Sequence, residues 1–204
     1  MKHKEYCSFC NLASGNKRFG DIDSPFMESD NYFAIASIGA FIEGWTLIVP
    51  KKHMLSCSSE YLKMEFLSFT LDVKRHIESI YGNVIMFEHG ANVEGSLTGC
   101  GVDHAHFHIV PSEPLLYKDL NNSDLDWMNC TSSEIAKVNA EDYLFYAQSI
   151  SEFSIEGLYT RPQKATSQFF RKILAKKNGV EAVSDYKTHL HLDTSLKSYS
   201  RLSI

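Results

Sequence analysis

Asp103-His104-Ala105-His106-Phe107-His108-Ile109-Val110-Pro111 is the stretch on which the reading of this chain turns. Its apolar residues run up to a terminating proline, which predicts a β-strand over residues 105–110. Side chains on a strand alternate between faces, so His104, His106 and His108 share one face. Ala105, Phe107 and Ile109 share the other, which suits packing against a helix. A lone histidine is most often a satisfied core or surface residue, but three in a row at period two resist that explanation. Two chemistries can use such a row. A metal can be held by two or three imidazoles with one position left open for activated water. Alternatively a central imidazole can attack phosphorus while its neighbours orient it.

The flanking segments predict the rest of a compact core. Residues 30–36 and 45–49 read as strands, the second stopped by Pro50. Leu62, Phe66, Phe69, Val73, Ile77 and Ile80 recur at spacings of three and four, which predicts a helix with Ser56, Ser58 or Ser59 as its N-cap and Gly82 at its end. Residues 83–87 return as a buried strand. Residues 90–101 are rich in glycine, serine and threonine and read as a loop, either a plain connection or a phosphate cradle whose backbone N–H groups approach an anion. Glu88, His89 and Asn92 precede it and are candidates for the same pocket; His89 reads equally as a solvated turn residue.

Composition shifts after residue 112. Residues 112–142 look like an irregular connection, 143–147 and 153–159 like a hairpin, and 163–178 like a helix closed by Gly179. Six basic residues and no acid lie between Arg161 and Lys177, so this segment offers either a solvated helix face or a cationic one that reaches a polyphosphate. The chain therefore divides, as an expectation, into a core over 1–112 and an extension over 113–204.

The whole chain has 204 residues, 44% of them apolar and 22% charged, which excludes a wholly disordered protein. Its net charge of -5 argues against a nucleic-acid coat or a polybasic membrane binder. No apolar run approaches the roughly 20 residues of a membrane span, and the first residues lack the apolar core of a signal peptide. A cytoplasmic protein is the expectation. Cys7, Cys10, Cys57, Cys100 and Cys130 are odd in number and scattered, unlike a secreted disulfide framework. The pair Cys7-Ser8-Phe9-Cys10 then reads as metal-binding or redox-active.

Three segments resemble the histidine-triad (HIT) family. His104 to Val110 fits its His-x-His-x-His signature followed by two apolar residues. Gly44-Trp45-Thr46-Leu47-Ile48-Val49-Pro50-Lys51-Lys52-His53 is similar to its Gly-His-x-Leu-Val-x-Pro-Lys-x-His segment, and Cys7 to Cys10 to the Cys-x-Phe-Cys opening of its zinc-containing branch. The resemblance covers residues 1–111. It implies an α+β, HIT-like fold, an antiparallel sheet with a long helix packed on it, followed here by a C-terminal α/β extension. It also implies a structural Zn2+ on Cys7, Cys10, His53 and His104, a closed tetrahedral site.

That leaves His106 as the nucleophile toward the α-phosphorus of a nucleotide, with His108 beside the same phosphate. A histidine at the third position goes with hydrolysis in this superfamily. The expected function is hydrolysis of dinucleoside polyphosphates, diadenosine polyphosphates first, or of nucleoside phosphoramidates, through a nucleotidyl-histidine. Nucleotidyl transfer, or nucleotide sensing with little turnover, are the rival readings. The resemblance further implies an adenine-containing substrate and a homodimer, while the charge and the absence of a long apolar run point to neither nucleic acid nor membrane as partner. Ser96, Thr98, Gly99, Cys100 and Gly101 would lie beside the phosphates. Four positions depart from the family pattern: Cys100 and Gly101 replace a Gln and a Ser or Thr, Ser37 replaces the ribose-binding acid, and Trp45 replaces a histidine.

Overall fold

A computed structural model describes residues 7–99, 102–115, 117–120, 125–138, 141–164 and 166–204. In chain order its elements are α1 (Ser8–Ala13), β1 (Met27–Glu28), β2 (Tyr32–Ala36), β3 (Thr46–Pro50), α2 (Met64–Tyr81), β4 (Val84–Gly90), β5 (Phe107–Pro111), α3 (Tyr117–Leu120), β6 (Met128–Thr131), α4 (Ser132–Ile135), β7 (Tyr143–Ile150), β8 (Ile155–Thr160), α5 (Phe169–Asn178) and α6 (Leu192–Leu202). The strands form one antiparallel sheet in the order β1-β2-β3-β5-β4-β7-β8-β6. The fold is α+β, as the resemblance implied.

The sheet is buried on both faces, and the period of two sorts its side chains between two cores. Met86, Phe107, Ile109 and Phe145 face α2, where they meet Phe66, Leu67, Val73 and Ile77. Ile85, Phe87, Val110 and Leu144 face the other way, toward Trp45, Trp127, Phe170 and Leu174. Phe66, Phe107 and Phe87 are wholly buried, each contributing about 1.5–3 kcal/mol of transfer free energy. The three histidines belong to this second face.

Helix α2 begins later than its apolar spacing predicted. Residues 58–62 form a 3-10 turn, Lys63 occupies the cap position without a side-chain cap bond, and the three serines lie upstream. Leu62 is consequently exposed, as is Ile80 at the far end. Gly82 closes the helix with φ 81°, a conformation side chains disfavour. In the extension the helix is shorter than the basic stretch suggested. It starts only at Phe169, and Gly179 ends it at φ 65°.

Residues 113–204 share the sheet and both cores of the first segment rather than forming a unit beside it. β7 pairs along β4 from Met86↔Ala147 to Gly90↔Tyr143, and Cys130, Ile135 and Ile155 join the α2-side core. The edges left at the two ends, β1 and β6, are short, so the sheet offers little backbone for pairing with a second copy. The end of the extension is tied to the loop after β2. Gly39 N–H donates to Leu190 O at 2.7 Å, Ser195 Oγ donates to Ser37 O at 2.8 Å, and Gly44 N–H donates to Ser198 Oγ at 2.9 Å. A Cβ on Gly39 would stand 2.5 Å from Tyr186 Cβ, so this close approach requires glycine.

Candidate active site and metal centre

The first half of the histidine row leaves the sheet. β5 pairs with β3 only as far as Phe107, opposite Ile48. Upstream of it, Ala105 N–H donates to Met54 O at 2.6 Å and His104 N–H to Val102 O at 2.8 Å. The side-chain alternation nevertheless continues through this stretch, since Ala105 remains in the α2-side core with Phe107. The departure carries His104 to the N-terminal segment. Cys7, Cys10, His53 and His104 meet there, with one donor atom from each lying within 4.8 Å of the others. Cys7 Sγ is 3.2 Å and Cys10 Sγ 3.6 Å from His104 Nδ1, and Cys10 Sγ is 3.3 Å from His53 Nδ1.

These distances fit a tetrahedral ion. Zn–S bonds near 2.3 Å and Zn–N bonds near 2.0–2.1 Å place sulfur and nitrogen about 3.5 Å apart. The tautomer of His104 fits as well. Its Nε2–H donates to Pro50 O at 2.8 Å, which leaves the Nδ1 lone pair toward the sulfurs. Burial holds the ring down to about 4, so it is neutral, as a ligand must be. The cluster can hold a metal, and its donor set is that of a closed structural site.

His106 points into a cavity of about 880 Å³ on the same side of the sheet. Its Nδ1–H donates to His104 O at 2.8 Å, so Nε2 keeps the lone pair. Burial pulls its titration below the usual imidazole range, against the opposing pull of the His104 carbonyl. His108 lies 4.8 Å away, centre to centre, stacked on Phe87 at 4.5 Å. Trp45 Nε1–H donates to His108 Nδ1 at 3.0 Å. The N–H of His108 therefore sits on Nε2, which is buried with no hydrogen-bond partner among the described residues. One ring thus presents a lone pair and its neighbour a donor.

Replacing Trp45 by Phe should release this tautomer. In nitrogen-15 spectra the wild-type His108 should show a protonated Nε2 and a bare Nδ1, whereas Trp45→Phe should show exchange between the two forms. An unchanged spectrum would mean that Trp45 does not set it.

Ser37 also lines the cavity, at 4% exposure, with its N–H donating to Trp45 O. Five other expected binding residues do not. Glu88 has the opposite parity on β4. It lies under α2 and accepts from Tyr61 Oη, Tyr143 Oη and Cys57 N–H, with its carboxyl raised by burial. Three donors of the loop after β4 go to carboxylates. Asn92 N–H and Ser96 Oγ bond Asp142 at 2.8 and 2.5 Å, and Gly95 N–H bonds Asp103 at 2.7 Å. Thr98 N–H donates to Ser96 Oγ, and Gly99 packs so closely on Ala91 that a Cβ would be 2.9 Å from its methyl group. Asn92, Ser96, Thr98 and Gly99 thus stand away from the cavity, and Cys100 and Gly101 lie outside the described residues.

The cavity also has walls that sequence reading left unassigned. Phe9, Leu12, Ile35, Leu47 and Val102 give it an apolar side. The extension adds Gln168, Arg171, Tyr186, Lys187 and Leu190. Arg171 is 6% exposed, unlike Lys172 beside it, and its guanidinium lies 4.4 Å over the Trp45 ring. It donates to Gly39 O at 2.7 Å and to Ser184 O at 3.3 Å. With Lys17, Arg18 and Lys187 it gives the described lining four fixed cations against one acid, Asp23. Asp23 already accepts the N–H groups of Arg18 and Phe19. The cavity therefore favours an anion with an apolar portion.

A sequence model of the HIT domain matches residues 22–115. An uncharacterised HIT-like protein of Methanocaldococcus jannaschii is 29% identical over 126 residues, 59% of this chain and 93% of that protein. One of Mycoplasma pneumoniae is 31% identical over 113 residues, 52% of this chain and 70% of the relative. An adenosine 5'-monophosphoramidase of Danio rerio is 24% identical over 128 residues, covering 59% and 74% respectively. No described helix is long and apolar enough to cross a membrane.

Proposed function

The chain belongs to the HIT domain family, and on that premise we propose that it hydrolyses nucleotides at the α-phosphate, through a covalent intermediate on His106. The observation that carries this reading is the fixed tautomer pair. His106 is pinned through Nδ1 with its Nε2 lone pair free, and His108 beside it is fixed as an Nε2–H donor. The lone pair attacks phosphorus and forms an N–P bond. The bond from phosphorus to the leaving oxygen or nitrogen breaks, and the leaving group departs with that electron pair and takes up a proton. Water then cleaves the N–P bond, releasing a nucleoside monophosphate and restoring the ring. His108 donates to a phosphoryl oxygen, where negative charge gathers in the transition state.

An adenosine moiety suits the apolar wall, with Ser37 close to the ribose, and the four cations suit a polyphosphate. A phosphoramidate is the second substrate, since the Danio rerio relative is named for that activity. We assign a structural zinc to Cys7, Cys10, His53 and His104. Bound there, it supplies a cross-link between the N-terminal segment and the histidine row.

Hydrolysis of diadenosine tetraphosphate and of adenosine 5'-phosphoramidate in oxygen-18 water tests the reading. AMP carrying one heavy oxygen from either substrate is the expected product. Tight binding without AMP from either would replace this function by nucleotide sensing, and capture of the adenylyl group by added phosphate would replace it by transfer.

A further inference from the structure

His89 has no part in the scheme above, yet its state calls for a partner. It sits on β4 with the parity of Phe87 and faces the triad rather than α2. It lines the cavity with His106, His108 and Arg171. Among the described residues its ring is held by packing: edge-on to Phe87 at 5.7 Å, to Phe170 at 5.2 Å and to His108 at 5.9 Å. It is 6% exposed, and neither ring nitrogen has a hydrogen-bond partner among the described residues. Native proteins seldom leave such groups unmatched. His108 Nε2 is in the same condition and lines the same cavity. Two unmatched buried imidazoles side by side, next to a nucleophilic one, form a donor pair without its acceptor.

We propose that His89 binds the reacting phosphoryl group, its N–H and that of His108 donating to non-bridging oxygens while His106 attacks. This rests on the nucleotide-hydrolase reading and adds a residue to it. A neutral ring is the right donor, because it stabilises the oxygens without competing for a proton. Burial, with His106 and Arg171 nearby, holds His89 neutral, pulled down to about 3. The loop after β4 supports the assignment from the other side. Asn92 N–H, Gly95 N–H and Ser96 Oγ already bond Asp142 and Asp103, and none of these three residues lines the cavity.

Calorimetry with AMP and adenosine separates this from a packing role. In the wild type AMP should bind more tightly than adenosine. His89→Phe keeps the ring contacts but removes both nitrogens, and should weaken AMP about 10-fold while leaving adenosine unchanged. His89→Gln restores a donor and should recover most of the loss. In the wild-type protein itself, AMP but not adenosine should shift the nitrogen-15 resonances of His89, identified by their loss in His89→Gln. This readout stands even if the Phe variant does not fold. Equal weakening of both ligands, or an unshifted His89 resonance in protein that binds AMP, would overturn the proposal and leave the hydrolase reading intact. A wild type to which the phosphate adds no affinity would overturn both.

Discussion

His106→Ala is expected to lower hydrolysis of diadenosine tetraphosphate by about 10⁴-fold or more, the scale on which loss of a covalent nucleophile acts elsewhere. Mass spectrometry of wild-type protein, quenched without acid, should show a transient adenylyl adduct that the variant lacks. The expectation rests on position and tautomer together. The ring is buried, wedged between Phe9 at 5.5 Å and His108 at 4.8 Å, and pinned to the chain's own carbonyl. Its Nε2 is therefore aimed before substrate arrives, and no reorganisation is needed at the moment of attack. Burial keeps the ring unprotonated at neutral pH, so the lone pair is available. AMP should still bind the variant within several-fold of wild type, because the apolar wall and the cations are unchanged. An adduct that persists in His106→Ala, or turnover near the wild-type rate, would remove His106 from the nucleophile's role.

The triad face was legible in the sequence because strand parity is a local property. Residues two apart share a side whatever the rest of the chain does, and this placed His106 and His108 together before any contact was known. The same parity applied to β4 separates Glu88 from His89. The register against β5 decides which of the two faces the triad, and Phe87 opposite His108 settles it in favour of His89. The loop over 90–99 was less legible, for a different reason. Its glycines and hydroxyls do mark a chain rich in free donors, but Asp142, fifty residues away, takes two of them. Composition cannot reveal a distant carboxylate.

Arg171 shows the same limit from the other side. The basic stretch announced a cationic face, yet one of its residues alone turns inward, held by carbonyls of Gly39 and Ser184 and by the Trp45 ring. Trp45, a departure from the family pattern in sequence, becomes intelligible only in this setting. Its indole serves His108 on one atom and receives the guanidinium on its face.

Removing the metal from holoprotein with a strong chelator should release one zinc per chain and lower the melting temperature by about 5–10 °C, the shift that roughly 2–3 kcal/mol produces in a chain of this size. The loss is kept well below the ~10–16 kcal/mol of isolated zinc-finger peptides, because the sheet and its two cores fold on contacts the metal does not touch. What the metal would hold is α1. That helix is short and has no side-chain cap bond at Cys7, and Phe9 is its one buried residue. Residues 8–13 should become the first site of proteolysis in the chelated protein, and Cys7→Ser and Cys10→Ser should show the same cleavage without chelator. Phe9 packs on both His104 and His106, at 5.6 and 5.5 Å. Its release should therefore lower hydrolysis as well, by loosening the nucleophile. The distinction from a catalytic metal lies in the order of events. A structural ion predicts that activity falls in step with cleavage at residues 8–13. Complete loss of chemistry with α1 still protected and the melting temperature unchanged would place the metal in the reaction instead.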